Sequence, residues 1–426
     1  MEDRNPKVQR LVPALLGWFQ KNARDLPLRH TRDPYAIWIS EIMLQQTQVK
    51  TVVPYWERWM RKLPTLQAVA CAGPDNIHKL WEGLGYYTRV RNLQKAARQI
   101  VEKHGGRFPD DFNDVLALPG IGRYTAGAIC SIAFNQAAPI LDGNVIRVLT
   151  RVFGIGEKPR EKKTNTRLWR LAEELVTCAS RFKSRTRTKD EDERPAVCSH
   201  LNQSLMELGA LVCAPRQPQC TVCPVKKLCA AFREDRVAVL PDIEKRTIAT
   251  ARHFVAFVIE RRGRFLVRQR PAGVVNAHLW EFPNAEIDSR RSGSSTKRNR
   301  YAHPSGGKSQ SRLTSAATNT GVDPGMVQAA KKLGFKIRDG KPFCTVKHSI
   351  TRYRITLEVW RASFKGTRFA NTPKDGMGRH GTPPAEIRGV WRSQAQMNRL
   401  AFAGAHRKLL HTLFGRTMCG NEKNTD

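Results

Sequence analysis

Cysteine is used sparingly in this 426-residue chain, ten times in all, yet four cysteines fall within 17 residues as Cys213-x6-Cys220-x2-Cys223-x5-Cys229. Four thiolates that close together can wrap one metal centre, and a loop tied at four points has few ways to fold. Tetrahedral zinc and an iron–sulfur cluster both satisfy four cysteines, and ligand rules leave that choice open. Such crowding points to a reducing compartment and not to a disulfide framework. Arg216, Lys226 and Lys227 lie among the ligands and make the loop a cationic knob suited to phosphates, whichever metal it holds.

The positive bias runs through the whole chain. There are 73 Lys and Arg against 37 Asp and Glu, a formal charge of +36, which calls for a polyanionic partner. Charge alone does not separate DNA from RNA, a ribosome or an anionic membrane surface, since the long-range attraction is the same. The length fits about two or three domains, and a 40% hydrophobic content supplies each with a core, which excludes wholesale disorder. A membrane span is not expected: the apolar stretch 11–19 is interrupted by Pro13 and falls well short of the ~20 residues a span needs. No secretory signal is visible, so the expected location is cytoplasmic.

Periodicity divides the chain in two. Residues 8–176 read as amphipathic helices punctuated by Asp33-Pro34, Leu63-Pro64, Gly73-Pro74, Phe108-Pro109 and Leu118-Pro119-Gly120. The charge-dense stretch 181–197 reads as an exposed insertion, after which a helix resumes at about His200 and leads into the cysteines. Beyond Pro241 the period changes from 3.6 to 2. Residues 253–260, a turn at Arg262-Gly263 and residues 264–270 form an expected hairpin, and 353–360 alternate as a later strand. The expected organisation is a helical domain over 8–235, a linker over 236–250, a sheet-containing domain over 251–412 and a polar tail over 413–426. Within the second domain, 289–322 carry seven Lys or Arg and no acid, and read as a disordered basic loop adding sequence-independent affinity for a polyanion.

Three motifs carry chemistry. In Leu118-Pro119-Gly120-Ile121-Gly122-Arg123-Tyr124 two glycines allow close backbone approach, and the N–H groups opening the next helix form a phosphate seat, although a Gly-x-Gly before a helix is more often a plain turn. In Leu141-Asp142-Gly143-Asn144 a carboxylate opens a helix; it reads first as an N-cap, and the helix N-terminus would also hold it ionised. In the segment from Ile37 to Gln48, helical spacing puts Glu41 on one stripe with Ile37, Leu44 and Gln45, so a carboxyl interrupts a face that should be core. Desolvation raises such a pKa and makes Glu41 a candidate proton donor. One protonated and one ionised carboxyl is the division of labour expected for breaking a glycosidic bond.

Glu41, the Leu-Pro-Gly-Ile-Gly hairpin, Asp142 and the four-cysteine loop, in that order, resemble the helix-hairpin-helix DNA glycosylase superfamily, and within it the adenine DNA glycosylases of the MutY type. The resemblance runs over about 8–235 on specific motifs and more loosely over 250–412. It implies an all-α helix-hairpin-helix glycosylase domain followed by an α+β Nudix-like domain, with a 4Fe-4S cluster on Cys213, Cys220, Cys223 and Cys229. It also implies a monomeric bacterial enzyme of the cytoplasm and nucleoid that acts on duplex DNA containing adenine opposite 8-oxoguanine or guanine.

By resemblance, Glu41 protonates N7 of a flipped adenine, Asp142 stabilises the sugar cation, and Tyr124 and Asn144 position them. Gln46 fills the gap left by the extruded nucleotide, Tyr86 wedges beside the opposing lesion, Arg29 and Glu207 line the adenine pocket, and Gly120 and Gly122 hold a phosphate. Endonuclease III-type relatives carry a nucleophilic Lys where this chain has Tyr124, so no efficient lyase step is expected. A lesion-reading loop falls at 346–353, where Ile350, Thr351 and Arg352 stand in place of a Phe-Ser-His run; Thr351 keeps a hydroxyl. Leu28 stands where the family usually has Trp. The alternatives are a thymine-directed or endonuclease III-like glycosylase, or a non-enzymatic DNA-binding or Nudix-type protein. The segment 325–334 has no Glu and so lacks the residues a working Nudix hydrolase needs for magnesium.

Overall fold

A computed structural model describes residues 5–182, 196–243, 249–287, 324–350, 352–364 and 389–415. Residues 183–195 of the expected insertion 181–197, the basic loop 289–322, Thr351 and residues 416–426 of the expected tail lie outside the described residues. The chain forms two compact units, Met1–Arg246 and Thr247–Asp426. Among the described residues no helix is long and apolar enough to cross a membrane.

The first unit is helical: α1 (Pro6–Asn22), α2 (Pro34–Leu44), α3 (Val49–Lys62), α4 (Leu66–Cys71), α5 (Pro74–Trp81), α6 (Thr88–Lys103), α7 (Phe112–Leu116), α8 (Arg123–Phe134), α9 (Gly143–Phe153), α10 (Lys162–Ser180), α11 (Val197–Leu211) and α12 (Ala230–Arg233). The breaks at Pro34, Pro64, Pro74, Pro109 and Pro119-Gly120 each mark a junction, whereas Pro13 and Pro54 lie inside α1 and α3. Pro34 and Pro74 occupy the first helical turn, where a missing N–H costs nothing. Helices α1, α9, α10 and α11 share one core built on Leu11, Leu15, Val148, Leu168, Leu201 and Leu205. Helix α11 starts at Val197, three residues before the sequence predicts, because Ala196 and Cys198 are already buried and the Asn135 side chain accepts from the Cys198 N–H at 3.0 Å.

Helices α7 and α8 flank the hairpin 118–122. Gly120 has φ +81°, and a methyl group there would lie 2.7 Å from Asn92 Cβ of α6, so this turn requires glycine twice over. Residues 236–240, expected in a linker, are instead held to the helical unit: Arg151 Nε donates to the Leu240 carbonyl at 2.8 Å, and Leu240 is buried.

The second unit is a mixed sheet between helices, made from β1 (Thr250–Arg261), β2 (Arg264–Gln269), β3 (Trp280–Glu281), β4 (Asn284–Ile287), α13 (Pro324–Lys332), β5 (Phe335–Ile337), β6 (Cys344–Ile350), β7 (Tyr353–Phe364), β8 (Val390–Ser393), α14 (Gln394–Met397) and α15 (Gly404–Phe414). The order is β3-β2-β1-β7-β5, with β4 on β1, β6 on β7 and β8 on β2. The expected hairpin is present: β1 and β2 pair antiparallel around Arg262 and Gly263, both at positive φ. Strand β1 also runs parallel to β7, from Thr250↔Tyr353 to Ile259↔Ala362.

A strand at the centre of such a sheet is covered on both faces, which explains the nearly unbroken apolar run 254–259. Val255, Phe257 and Ile259 pack with Met326 and Ala329 of α13, whereas Ala256 and Val258 share a core with Phe402 and Leu409. Leu413 and Phe414, expected in a polar tail, join the second of these cores; the Phe414 ring meets Phe265 at 5.3 Å. Glu281 is 2% exposed and is ion-paired with Arg268 at 2.8 Å and with Arg270.

Packing of α8 onto the segment before α9 needs a glycine. A methyl group at Gly127 would sit 2.1 Å from the Pro139 carbonyl oxygen. We predict that Gly127→Ala lowers the stability of the helical unit by about 1–3 kcal/mol, the usual cost of overpacking, seen as a lower urea midpoint by far-ultraviolet circular dichroism. An unchanged midpoint would contradict this packing.

Candidate active site

Helix α2 is short, and all of it from Tyr35 to Met43 is buried. Asp33 caps it by accepting from the Tyr35 N–H at 3.0 Å, and Pro34 presets the first turn. Glu41 is therefore carried into the interior by its neighbours, and is 6% exposed. Tyr124, in the first turn of α8, donates its hydroxyl to Glu41 Oε2 at 2.8 Å. Burial pushes the Glu41 carboxyl up to about 7; the Tyr124 hydrogen bond draws it down and the nearby charge of Asp142 lifts it. Burial, with the two carboxylates adding to it, holds the Tyr124 phenol well above its ordinary pKa, so it remains a donor.

Asp142 is the N-cap of α9. Its Oδ1 accepts from the Val145 N–H at 2.7 Å, and its Oδ2 from the Asn144 side chain at 3.1 Å. The sequence predicts a carboxylate held ionised by the helix, but burial adds an opposing effect and raises its pKa. The Val145 and Asn144 hydrogen bonds and the Arg147 charge pull it back toward the ionised form. Asn144 is positioned in turn by Arg147, whose guanidinium donates to Asn144 Oδ1 at 2.8 Å, to the Gly209 carbonyl at 2.7 Å and to the Cys213 carbonyl at 2.7 Å. Arg147 escaped the sequence reading. Its signal was a pair of arginines four apart, Arg147 and Arg151, on a stripe with Val148 and Val152; they are 9% and 3% exposed.

Glu41, Tyr124, Asp142 and Asn144 line one cavity of about 890 Å³, together with Gln46, Gly122, Arg29 and Glu207. Glu207 of α11 is 1% exposed. It accepts from Arg29 at 2.8 and 3.1 Å and from the Arg24 side chain at 2.7 and 2.8 Å. Burial would raise its pKa, but these two guanidinium groups outweigh burial and hold it at about 2. Arg24 also escaped the sequence reading, because nothing in its local pattern separates it from an ordinary surface Arg.

The cavity thus holds one carboxyl poised to keep its proton near neutrality and one, Glu207, kept ionised by two cations. Leu28 is buried and lies on the cavity wall. Gly120 and Tyr86 do not line it: Gly120 turns against α6, and Tyr86 is 48% exposed before that helix. Gly122 caps α8 with nothing within 4 Å of its missing side chain, which leaves the hairpin open to a phosphate.

The four cysteines of the loop line a second, small cavity whose walls include Val148, Val152, Leu208, Val212 and Val225. Among the described residues no trio of His, Cys, Asp or Glu is gathered closely enough to hold a single metal ion. Burial raises the thiol pKa of Cys220, Cys223 and Cys229, the second of them to about 11, and the neighbouring thiolates add to each rise. Four thiols that repel one another's charge in an apolar cavity are a donor set that fits a positively charged inorganic group.

Residues 39–174 match the HhH-GPD superfamily base excision DNA repair protein family, and residues 255–412 match the NUDIX domain. The adenine DNA glycosylase of Rattus norvegicus is 39% identical over 326 residues, 64% of this chain and 60% of the rat protein. That of Buchnera aphidicola subsp. Acyrthosiphon pisum (strain APS) is 36% identical over 272 residues, 63% of this chain and 72% of the Buchnera protein. A solved thermostable thymine-DNA glycosylase is 32% identical, covers 54% of this chain and 98% of its own, and superposes with a TM-score of 0.47. The chain spans 60% of the length of the rat and mouse relatives it matches. Identity of this depth over more than two thirds of the Buchnera protein, with the two domain matches falling on the helical and the sheet unit in turn, places the chain in the adenine DNA glycosylase family.

Proposed function

We propose that this chain is a monofunctional glycosylase that extrudes adenine from duplex DNA and hydrolyses its N-glycosidic bond, its substrate being adenine opposite 8-oxoguanine or guanine. The observation that carries this reading is the buried Glu41 carboxyl, hydrogen-bonded to Tyr124 at 2.8 Å and sharing a cavity with Asp142. Glu41 gives its proton to N7 of the flipped base, which makes adenine a neutral leaving group when the bond to the sugar breaks. Asp142, fixed by Val145 and Asn144, stabilises the cation that develops on the sugar until water adds to it. Tyr124 is a phenol where a lyase needs an amine, so the reaction ends at the abasic sugar.

Arg29 and Glu207 face the base in the same cavity. Gln46 and Tyr86 act on the duplex, one filling the vacated stack and the other wedging beside the opposing lesion. Gly120 and Gly122 receive a backbone phosphate, and the +36 charge supplies attraction for the polyanion. Thr351 and its neighbours in the sequence 346–353 read the lesion. A Nudix hydrolase reading is disfavoured: α13, Pro-Gly-Met-Val-Gln-Ala-Ala-Lys-Lys, carries no carboxylate to bind magnesium.

Cys213, Cys220, Cys223 and Cys229 would hold a 4Fe-4S cluster. Thiols spread around a cavity suit a polynuclear group better than one tetrahedral ion. The cluster, when bound, contributes compensating positive charge and a rigid anchor for a loop that presents Lys226 and Lys227. Purified protein is predicted to be brown, with about four iron and four sulfide per chain; colourless protein carrying stoichiometric zinc would refute the assignment.

The reaction is tested by single-turnover base release from duplexes carrying adenine opposite 8-oxoguanine, adenine opposite guanine, and thymine opposite guanine. Adenine should leave and thymine stay; faster thymine release would overturn the reading. Glu41→Gln should slow adenine release roughly 10²–10⁴-fold, the usual worth of a general acid. Only the protonated carboxyl is active, so the native rate should fall as pH rises through about 7. The Tyr124 hydroxyl stabilises the carboxylate form, and Tyr124→Phe should therefore move that decline to higher pH; a shift to lower pH would contradict the assignment.

A further inference from the structure

We propose that Arg89 is a positioning residue that locks the Gln46 plug and the Tyr86 wedge into one fixed relation, so that extrusion of the base depends on its guanidinium. The inference rests on the reading of the function given above and extends it to a residue outside the cavity.

Helix α2 ends at Leu44, and the carbonyls of its last turn have no partner within the helix. Arg89, in the first turn of α6, supplies one. Its NH1 donates to the carbonyls of Ile42, Met43 and Gln45 at 2.8, 3.2 and 2.6 Å. Its NH2 donates to Leu84 and Gly85 at 3.0 and 3.2 Å. One rigid fork thus holds two segments that are about forty residues apart in sequence.

The two ends of this brace fall at telling places. The Gln45 carbonyl belongs to the peptide plane that carries the Gln46 N–H, and the Gly85 carbonyl to the plane that carries the Tyr86 N–H. Gln46 and Tyr86 both stand at positive φ, 55° and 47°, a region that costs a residue with a side chain about 1–2 kcal/mol. Arg89 therefore grips the peptide immediately before each of two unfavourable backbone conformations. The same guanidinium lies over the Trp81 ring at 5.3 Å and the Tyr86 ring at 5.6 Å, and Trp81 Nε1 donates to the Gly85 carbonyl at 3.1 Å. Burial lowers the Arg89 pKa to about 10, so it remains cationic at neutral pH, facing the negative end of α2. Lysine keeps the charge but cannot fan out to five carbonyls.

The test compares native protein with Arg89→Lys on two substrates: adenine opposite 8-oxoguanine, where the base must be extruded from a pair, and adenine opposite an abasic site, where no pair has to be broken. Extrusion is read separately from the fluorescence of 2-aminopurine placed at the target position. Extrusion costs a few kcal/mol and each tenfold in rate is 1.36 kcal/mol, so release from the paired substrate and the fluorescence rise should fall roughly tenfold or more. Release from the unpaired adenine should stay near the native rate. Equal losses on both substrates, or undiminished fluorescence, would overturn the proposal.

Should Arg89→Lys fail to fold, the brace is tested with Arg89 intact. Gln46→Ala and Tyr86→Ala should then be coupled, the double variant losing less than the product of the two single losses; multiplicative losses would overturn it. Native protein that extrudes 2-aminopurine yet releases no adenine would contradict the proposed function alone, and the fluorescence comparison would still decide the role of Arg89.

Discussion

The site depends on burying Glu41 beside a second carboxyl. A carboxyl in the middle of an apolar helix keeps its proton unless something stabilises its charge. The partners observed are a phenol, which favours the charge but is outweighed by burial, and Asp142, which opposes it. Asp142 is buried too, but it has the start of α9, Asn144 and the Arg147 charge on its side. The two groups share one cavity and differ in what surrounds them, which is how one site can offer both a proton and a negative charge. Two equivalent carboxyls would offer neither cleanly.

That asymmetry is maintained by packing well away from the cavity. Arg147 binds Asn144 on one side and the carbonyls of Gly209 and Cys213 on the other, so the cap on α9, helix α11 and the cysteine loop share one guanidinium. Arg151, one turn on, reaches the Ala214 and Leu240 carbonyls at 2.8 Å and approaches Cys213 Sγ at 3.4 Å. Gly209 lets α11 approach α9 closely, since a methyl group there would lie 2.6 Å from Asn144 Cβ. The cysteine loop therefore bears on the geometry of Asp142 without touching it. Removing either arginine would leave at least two carbonyls without their side-chain donor, a larger cost than the hydrogen bonds themselves are worth.

Features set by local pattern were legible in the sequence. Glu41 stood out because it interrupts an apolar stripe, Asp142 because it opens a helix, and the β1–β2 hairpin because alternation stops at Arg262-Gly263. Features set by long-range contact were not. Arg24 and Arg89 look like any of the 73 basic residues until folding brings Arg24 to Glu207 and Arg89 to the end of α2. Borders failed for the same reason: Leu413 and Phe414 sit in a polar stretch of sequence and are claimed by the ring of Phe265 and its core. Leu240 next to Pro241 reads as a linker and is fixed by Arg151 from a helix some ninety positions earlier.

The difference in protonation between Glu41 and Asp142 can be observed without turnover. Carbon-13 labelling of the side-chain carboxyls, assigned through Glu41→Gln and Asp142→Asn, would allow each to be titrated by chemical shift in the intact protein. Glu41 should titrate near 7, and Asp142, which the Val145 and Asn144 hydrogen bonds and the Arg147 charge draw toward the ionised form, should lose its proton first. A Glu41 inflection at the ordinary value of about 4.3, or one below that of Asp142, would contradict the account.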